Sequence, residues 1–171
     1  RFKGDKRYNV NIKTIEQYKQ KADVIILCIR TPDISSAFDL IKRASHKNTV
    51  IFSISNGFGI GYALQKKFND KLILDANFVG KCRWYNRENV EYLQQREYCE
   101  LNISPIKTDF PLDILQQIKD DFAQAGMKTE IMSQKQFTEL SFERLITRSP
   151  FEACCIYYGI NANQIVDEKR T

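Results

Sequence analysis

Two short apolar segments of the chain are each followed by polar residues that suit ligand binding. Arg30-Thr31-Pro32 follow the first segment, which ends at Ile29, and Ser55-Asn56-Gly57-Phe58-Gly59 follow the second. In an open parallel sheet, ligands bind outside the carboxyl ends of the strands, which is where these residues would lie. Asn56 offers both a donor and an acceptor, Gly57 lets the backbone approach a ligand closely, and Arg30 could contact a phosphate. The alternative for Asn56 is an ordinary turn without a ligand. The alternative for Arg30 is a solvent-exposed residue at the end of a strand.

A second group of charged residues is spaced to share one face of a helix. Arg144, Arg148 and Glu152 stand four residues apart, so in a helix they lie one above another. Two arginines at this spacing repel each other mildly unless an anion lies between them, and guanidinium groups bind carboxylates through paired hydrogen bonds. We therefore expect a ligand that carries a carboxylate. The alternative is that Glu152 pairs with the arginines on a solvated face, and Pro150 is expected to kink the helix or to begin a new segment.

The elements that must position the first group are predicted to be parallel strands. Three apolar runs without alternation, at residues 24–29, 50–54 and 72–74, are typical of strands that are buried on both faces. A helix with Asp33 as its N-cap is predicted between the first two runs, and a helix at residues 60–68 between the last two. Right-handed crossovers would then place all three strands in one sheet.

The chain changes in character after the third run. Residues 78–85, 90–93 and 98–103 are predicted to form antiparallel strands, with a polar turn at residues 86–89 and the hairpin at a sheet edge. A helix follows, with Pro111 in its first turn and Gly126 just past its end. A strand at residues 128–132 and a long helix at residues 137–158 complete the pattern.

Composition argues against several classes of function. The net charge of +5 is spread along the chain of 171 residues, so nucleic acid is not an expected partner. The cysteines show no CxxC spacing, and the one histidine, His46, is predicted at a helix end, so neither a metal site nor a disulfide framework is expected. No run approaches the ~20 apolar residues of a membrane helix. We expect reduced thiols in a cytoplasmic protein that does not bind a membrane.

The order of these segments resembles the ketopantoate reductase family. The resemblance rests on ADVIILCIRTPDISSAF, TVIFSISNGFG, a hairpin and SFERLITRSPFEA, and it extends from about Ala22 to Ala153. Members of that family reduce 2-dehydropantoate to pantoate with NADPH, in pantothenate biosynthesis. The resemblance implies that Asn56 lies beside the nicotinamide and the substrate, and that Ile29, Arg30, Thr31 and Gly57 lie near the cofactor.

The resemblance also implies a fold and a division of the chain. The expected class is α/β: the second half of a Rossmann-like parallel sheet, then an antiparallel hairpin, then the start of an α-helical C-terminal domain. We place a partial dinucleotide-binding domain at residues 1–80, an antiparallel crossover at residues 81–110 and the start of a helical substrate domain at residues 111–171. The family's glycine-rich phosphate turn and its last helices are missing from the sequence, so we expect a longer protein.

Several charged positions depart from the family pattern. Arg30 and Arg144 stand where the family has lysine, and Arg148 stands where it has asparagine. Because arginine keeps its proton, Arg144 could stabilise a developing alkoxide but could hardly donate a proton to it. The expected function is NADPH-dependent reduction of a small 2-keto acid, with Arg144 and Asn56 catalytic and with Asn56, Arg148 and Glu152 binding the substrate. The alternatives are a degenerate relative that binds a nucleotide or a partner without turnover, and a different keto acid; a homodimer is also considered.

Overall fold

The computed structural model describes residues 13–14, 17–55, 57–80 and 100–160, and the backbone of residues 82–84 and 90–92. The predicted turn at residues 86–89, the tail from Asn161 and the side chain of Asn56 lie outside the described residues. The strands that the described residues form are β1 (Ala22–Leu27), β2 (Ser45–Ser53), β3 (Leu72–Val79), β4 (Cys82–Trp84), β5 (Val90–Tyr92), β6 (Glu100–Pro105) and β7 (Lys128–Ile131).

Five of these strands form one mixed sheet in the order β1-β2-β3-β6-β7. The pairs β1–β2 and β2–β3 are parallel, which confirms the prediction that the three apolar runs lie side by side. The strands β4 and β5 form a separate antiparallel pair, so the predicted hairpin is present. However, β6 lies inside the main sheet, antiparallel to β3 and parallel to β7, and not in a hairpin at an edge. Its apolar side chains Leu101 and Ile103 are buried there.

Four α-helices and one 3-10 helix connect or follow the strands of the described part of the chain. The 3-10 helix is Thr31–Ala37, and the α-helices are α1 (Phe38–Ala44), α2 (Ile60–Lys67), α3 (Leu112–Gln124) and α4 (Gln134–Tyr158). The predicted helices therefore all exist. The boundaries that we placed at residues 80 and 110 stay predictions, although β6, α3 and β7 are built into or against the sheet that β1 begins.

Two local predictions are wrong, and a third is narrowed to one of its alternatives. Asp33 does not cap its helix: Arg30 occupies the N-cap position, and Asp33 lies in the first turn because Pro32 starts the helix earlier. His46 lies in β2 and not at a helix end, since α1 stops at Ala44. Of the two alternatives at Pro150, a new segment is excluded because α4 runs through this residue, and a kink there stays a prediction. The residues around Pro150 are exposed, so water can satisfy the carbonyl group that proline leaves without a donor.

The two faces of the sheet carry different cores. One face packs Val50, Phe52, Leu74 and Leu101 against Leu115 and other residues of α3. The opposite face of β1, β2 and β3 packs against the 3-10 helix, α1 and α2 in a second apolar cluster. Toward β6 this second face becomes polar, with four buried side chains at alternating positions of the paired strands β3 and β6: Asp75, Asn77, Asn102 and Ser104.

Asp75 connects this polar row to the start of α2. Its Oδ1 accepts a hydrogen bond from the backbone N–H of Gly61 at 2.8 Å. A methyl group at Gly61 would overlap the Asp75 carboxyl group, so only glycine allows this approach. Burial raises the pKa of Asp75, while hydrogen bonds from Gly61 and Gln134 act in the opposite direction. The ionised carboxylate therefore costs stability, even though its hydrogen bond fixes the first turn of α2.

The raised pKa of Asp75 predicts how stability depends on pH. The unfolded pKa of aspartate is about 3.9, and protonation favours the folded state whenever the folded pKa is higher. The stability that Asp75 contributes is therefore fully present below about pH 4 and is lost as pH rises through the folded pKa. In Asp75→Asn we expect this decline to disappear in urea unfolding midpoints measured from pH 4 to 8.

The control is Asp70→Asn. Hydrogen bonding to Lys71 lowers the pKa of the exposed Asp70, so its contribution to stability changes with pH in the opposite direction. Identical pH profiles for wild type and Asp75→Asn would contradict the assignment.

Candidate functional site

A cleft separates α4 from the turn that follows β2. Its volume is about 160 Å³, and its walls come from the turn (Ser55, Gly57, Phe58), from β3 (Ala76, Asn77) and from α4 (Phe137, Ser141, Arg144, Leu145, Arg148, Ser149, Glu152). A cavity of about 150 Å³ holds one benzene molecule. The cleft therefore has room for a small acid.

The turn is held tightly against the segment that follows β1. A methyl group added to Gly57 would lie 2.7 Å from Thr31 Oγ1 and 2.5 Å from Ile60 Cδ1, so the backbone at Gly57 packs as closely as glycine permits. The Ser55 hydroxyl group donates to the carbonyl oxygen of Ile29. Three of the residues predicted to bind a cofactor, Ile29, Thr31 and Gly57, are thus brought together at neighbouring strand ends.

Glycine is also required at the end of this turn. Gly59 has φ +74° and occupies the N-cap position of α2, a backbone conformation that glycine adopts without strain. Asn56 lies between the described residues Ser55 and Gly57 but is itself outside them. Its predicted catalytic and binding contacts therefore stay predictions.

Arg30 lies apart from the cleft. Its side chain is 84% exposed and its Nε donates to Asp33 Oδ2 at 2.7 Å. The hydrogen bond with Asp33 raises the pKa of Arg30, so the guanidinium group stays charged. A surface ion pair of this kind is weak, which leaves Arg30 able to exchange Asp33 for another anion at the end of β1. Its role near a cofactor stays a prediction.

The three charged residues of α4 do meet at the cleft. Arg144 is partly buried, and burial lowers its pKa, with the charge of Arg148 acting in the same direction and Glu100 and Glu143 in the opposite one. The Nη1 group of Arg144 is buried and has no hydrogen-bond partner among the described residues. Because a buried unpaired donor is costly, an oxygen acceptor bound in the cleft would be stabilised there.

Glu152 does not neutralise the arginines. Within the described part of the chain, no carboxylate oxygen of Glu152 comes within 4.0 Å of a charged nitrogen of Arg144 or Arg148. The alternative in which Glu152 pairs with the arginines is therefore wrong for this structure. Two guanidinium groups line the cleft, and neither forms an ion pair with a carboxylate of the described residues, which is the arrangement expected of an anion site.

Asn77 was not among the site residues predicted from the sequence. It lies in β3, where the apolar run was predicted to end at residue 74 because Asp75 interrupts it. Asp75 and Asn77 are two apart, so they point to the same side of the sheet, and both are buried. The polar residues Asp75 and Asn77, two apart within an apolar strand, were the sequence signal that could have identified the floor of the cleft, which is the part formed by β3.

Other kinds of site find no support in the described residues. No group of three or more histidine, cysteine, aspartate or glutamate side chains there could hold a metal ion. In the same part of the chain, no helix has both the length and the apolar character needed to cross a bilayer.

Comparison with solved structures shows the fold. The chain aligns with 2-dehydropantoate 2-reductase from Methylococcus capsulatus at 16% identity and a TM-score of 0.69, over 85% of this chain and 45% of that one. It aligns with dimeric ketopantoate reductase from Staphylococcus aureus at 16% identity and a TM-score of 0.65, over 86% of this chain and 50% of that one. A D-mandelate dehydrogenase, solved with NADH and anilino(oxo)acetate, aligns at 15% identity and a TM-score of 0.56, over 66% of this chain and 35% of that one.

These alignments limit what can be carried over from whole enzymes. The chain spans half or less of the length of each of these three structures. No curated protein gives a significant match to the sequence. The family model described as "Ketopantoate reductase PanE/ApbA" matches residues 1–102 of the 171, which is more than half of the chain. The chain therefore belongs to the ketopantoate reductase family PanE/ApbA, a family of oxidoreductases.

Proposed function

We propose that this protein reduces a small 2-keto acid with NADPH, and that the substrate is 2-dehydropantoate, which gives pantoate for pantothenate biosynthesis. The observation that carries the proposal is the cleft in which Arg144 and Arg148 of α4 face the turn after β2. Family membership supplies the class of reaction. The small cleft with two arginines in its wall supports a small acid as the substrate.

The substrate carboxylate is assigned to Arg148. This side chain is exposed at the cleft wall, where it is accessible to an anion that diffuses in from solvent. A guanidinium group binds a carboxylate with two parallel hydrogen bonds, which orients a planar 2-keto acid. Glu152 lies one turn further along α4 and would contact polar groups of the substrate away from its carboxylate.

The keto oxygen is assigned to Arg144. A donor that is already in place and partly shielded from water stabilises the negative charge that develops on this oxygen as the hydride arrives. Arg144 stays cationic near neutral pH despite its lowered pKa, because an arginine side chain is protonated at any ordinary working pH. Arginine does not release a proton readily, so water supplies the proton that completes the alcohol. Asn56 would donate a second hydrogen bond to the same oxygen.

The described residues fit a nicotinamide cofactor at the strand ends. The position that a Cβ of Gly57 would occupy is already filled by Thr31 and Ile60, so the turn presents bare backbone toward the cleft. When bound, the cofactor supplies the hydride for the reduction. Ile29, Arg30 and Thr31 would line its path along the end of β1, with Arg30 toward a phosphate or ribose. The D-mandelate dehydrogenase structure, with NADH and a 2-oxo acid together, supports this pairing of ligands.

The remaining expectations belong to the same proposal. Residues 1–80 would contribute to cofactor binding, and residues 111–171 would begin the helical substrate domain. A homodimer is supported by the dimeric relative from Staphylococcus aureus. A cytoplasmic location is part of the same proposal.

One observation favours a second function. Arg144 takes the place of the lysine that the family pattern has at this position, and arginine is a poor proton donor. A relative that binds the cofactor and an acid without turnover would keep the same cleft. Tight binding of NADPH with no oxidation of NADPH would identify it.

The first prediction concerns turnover by the full-length protein. We expect NADPH oxidation, followed by absorbance at pH 7, to depend on added 2-dehydropantoate and to saturate with it. In Arg144→Ala, kcat should fall by about 10²- to 10³-fold, as when one oxyanion donor is removed. Arg144→Lys should retain most of the activity, since lysine also carries a positive charge. Arg43→Ala, which removes an exposed arginine of α1 outside the cleft, is the control. An Arg144→Ala variant with wild-type kcat would contradict the role of Arg144.

The second prediction separates binding from chemistry. In Arg148→Ala we expect KM for 2-dehydropantoate to rise by about tenfold while kcat changes little, because a charge-assisted hydrogen bond to the carboxylate is lost in ground and transition states alike. Raising the ionic strength should raise the wild-type KM as well, since the charges are exposed. A fall in kcat at unchanged KM would show that Arg148 acts on the transition state.

A further inference from the structure

The floor of the cleft contains a buried side chain whose carbonyl oxygen has no hydrogen-bond partner in the described part of the chain. Asn77 is only 8% exposed, and directly opposite it in the β3–β6 pair stands Asn102, which is 3% exposed. The Oδ1 atoms of both carboxamides are buried, with no hydrogen-bond partner among the described residues. Most buried polar atoms in folded proteins are paired, so each of these acceptors requires a reason.

The two asparagines differ in one respect that matters for a ligand. Asn77 lines the cleft and Asn102 does not. The cleft thus presents a buried donor without a partner, Arg144 Nη1, and a buried acceptor without a partner, Asn77 Oδ1. A ligand that satisfies both must carry an acceptor for the arginine and a hydrogen-bond donor for the asparagine.

The acid group of the proposed substrate cannot supply this donor. Its carboxylate and its keto group offer only lone pairs, which Arg148 and Arg144 would use. The donor must therefore belong to a further group on the substrate, either a hydroxyl or an ammonium group. The nearby guanidinium groups disfavour a second positive charge in this part of the cleft, and a neutral hydroxyl group avoids that repulsion.

We propose that Asn77 is a specificity-determining residue of the cleft, which accepts a hydrogen bond from a hydroxyl group that the substrate carries in addition to its 2-keto acid group. The inference rests on the proposed function and deepens it, because it assigns the residue that recognises the hydroxyl group of 2-dehydropantoate. The geometry places this hydroxyl group on the β3 side of the cleft, with the acid group on the α4 side.

The experiment compares two substrates that differ only in the hydroxyl group, on the full-length protein. 2-Dehydropantoate carries it, and 3,3-dimethyl-2-oxobutanoate has the same carbon skeleton without it. For Asn77→Leu we expect kcat/KM to fall by about tenfold with 2-dehydropantoate, the typical effect of losing one hydrogen bond. With the deoxy analogue the same variant should stay within about twofold of wild type, because no hydrogen bond is lost there.

The matched control is Asn102→Leu, which alters an equally buried asparagine of the same sheet face that does not line the cleft. It should leave the ratio of the two kcat/KM values unchanged, and Asn77→Ala repeats the test if the leucine variant does not fold. An equal loss with both substrates in Asn77→Leu would show a merely structural role and overturn the proposal. Wild-type kcat/KM for 2-dehydropantoate in this variant would overturn it too.

A binding measurement keeps the two proposals apart. If the wild-type protein reduces neither substrate, calorimetry with pantoate and with 2-hydroxy-3,3-dimethylbutanoate tests Asn77 alone. Tighter binding of pantoate, by about tenfold and lost in Asn77→Leu, would support the role of Asn77 while the proposed reaction fails. Equal binding of both acids, or binding of neither, would overturn the role of Asn77.

Discussion

The parallel pairing of β2 with both β1 and β3 is the interaction on which the candidate site depends. Ile51 of β2 is completely buried and stands in register with Ile25 on one side and Ile73 on the other. Parallel strands end at the same edge of a sheet, so this pairing brings Gly57 against Thr31. If the strands did not share an edge, no crevice for a ligand would form between the segments that follow them.

The candidate site also depends on the length of α4, which continues well past the first turn that holds it to the sheet. The first turn of α4 is fixed by the capping box of Ser133 and Gln136, and Gln134 donates to Ser104 and Pro105 of β6. From there α4 passes over the polar part of the sheet and carries Arg144 and Arg148 to the cleft. The fold thus holds two like charges close together and one of them partly buried, a cost that a bound anion would offset.

The polar floor beneath α4 distinguishes this cleft from an ordinary gap between a helix and a sheet. Burying asparagine and aspartate side chains is unfavourable unless they form hydrogen bonds. Asp75 forms them with Gly61 and so fixes the start of α2. Asn77 lies two residues further along β3 and borders the cleft. β3 therefore holds the start of α2 through Asp75 and lines the cleft with Asn77.

Much of the fold was predictable because β-branched runs without alternation, such as the one around Ile51, are typical of buried parallel strands. The helical spacing of Arg144 and Arg148 also predicted that they would act together. The position of β6 inside the sheet was not predictable, since antiparallel partners depend on tertiary contacts and not on local pattern. Asn77 was missed for a related reason. A polar residue after an apolar run is typical of a strand end, and the sequence pattern alone does not show that a helix covers this part of β3.

The central claim is that the cleft between α4 and the turn after β2 binds a 2-keto acid through two arginines. A crystal structure of the full-length protein with NADP⁺ and 2-dehydropantoate tests it most directly. The account predicts the carboxylate on the guanidinium group of Arg148, the keto oxygen within hydrogen-bond distance of Arg144 Nη1, and the nicotinamide ring beside the turn at Gly57. A substrate bound elsewhere, with the cleft filled by ordered water and Arg144 turned away from it, would contradict the account.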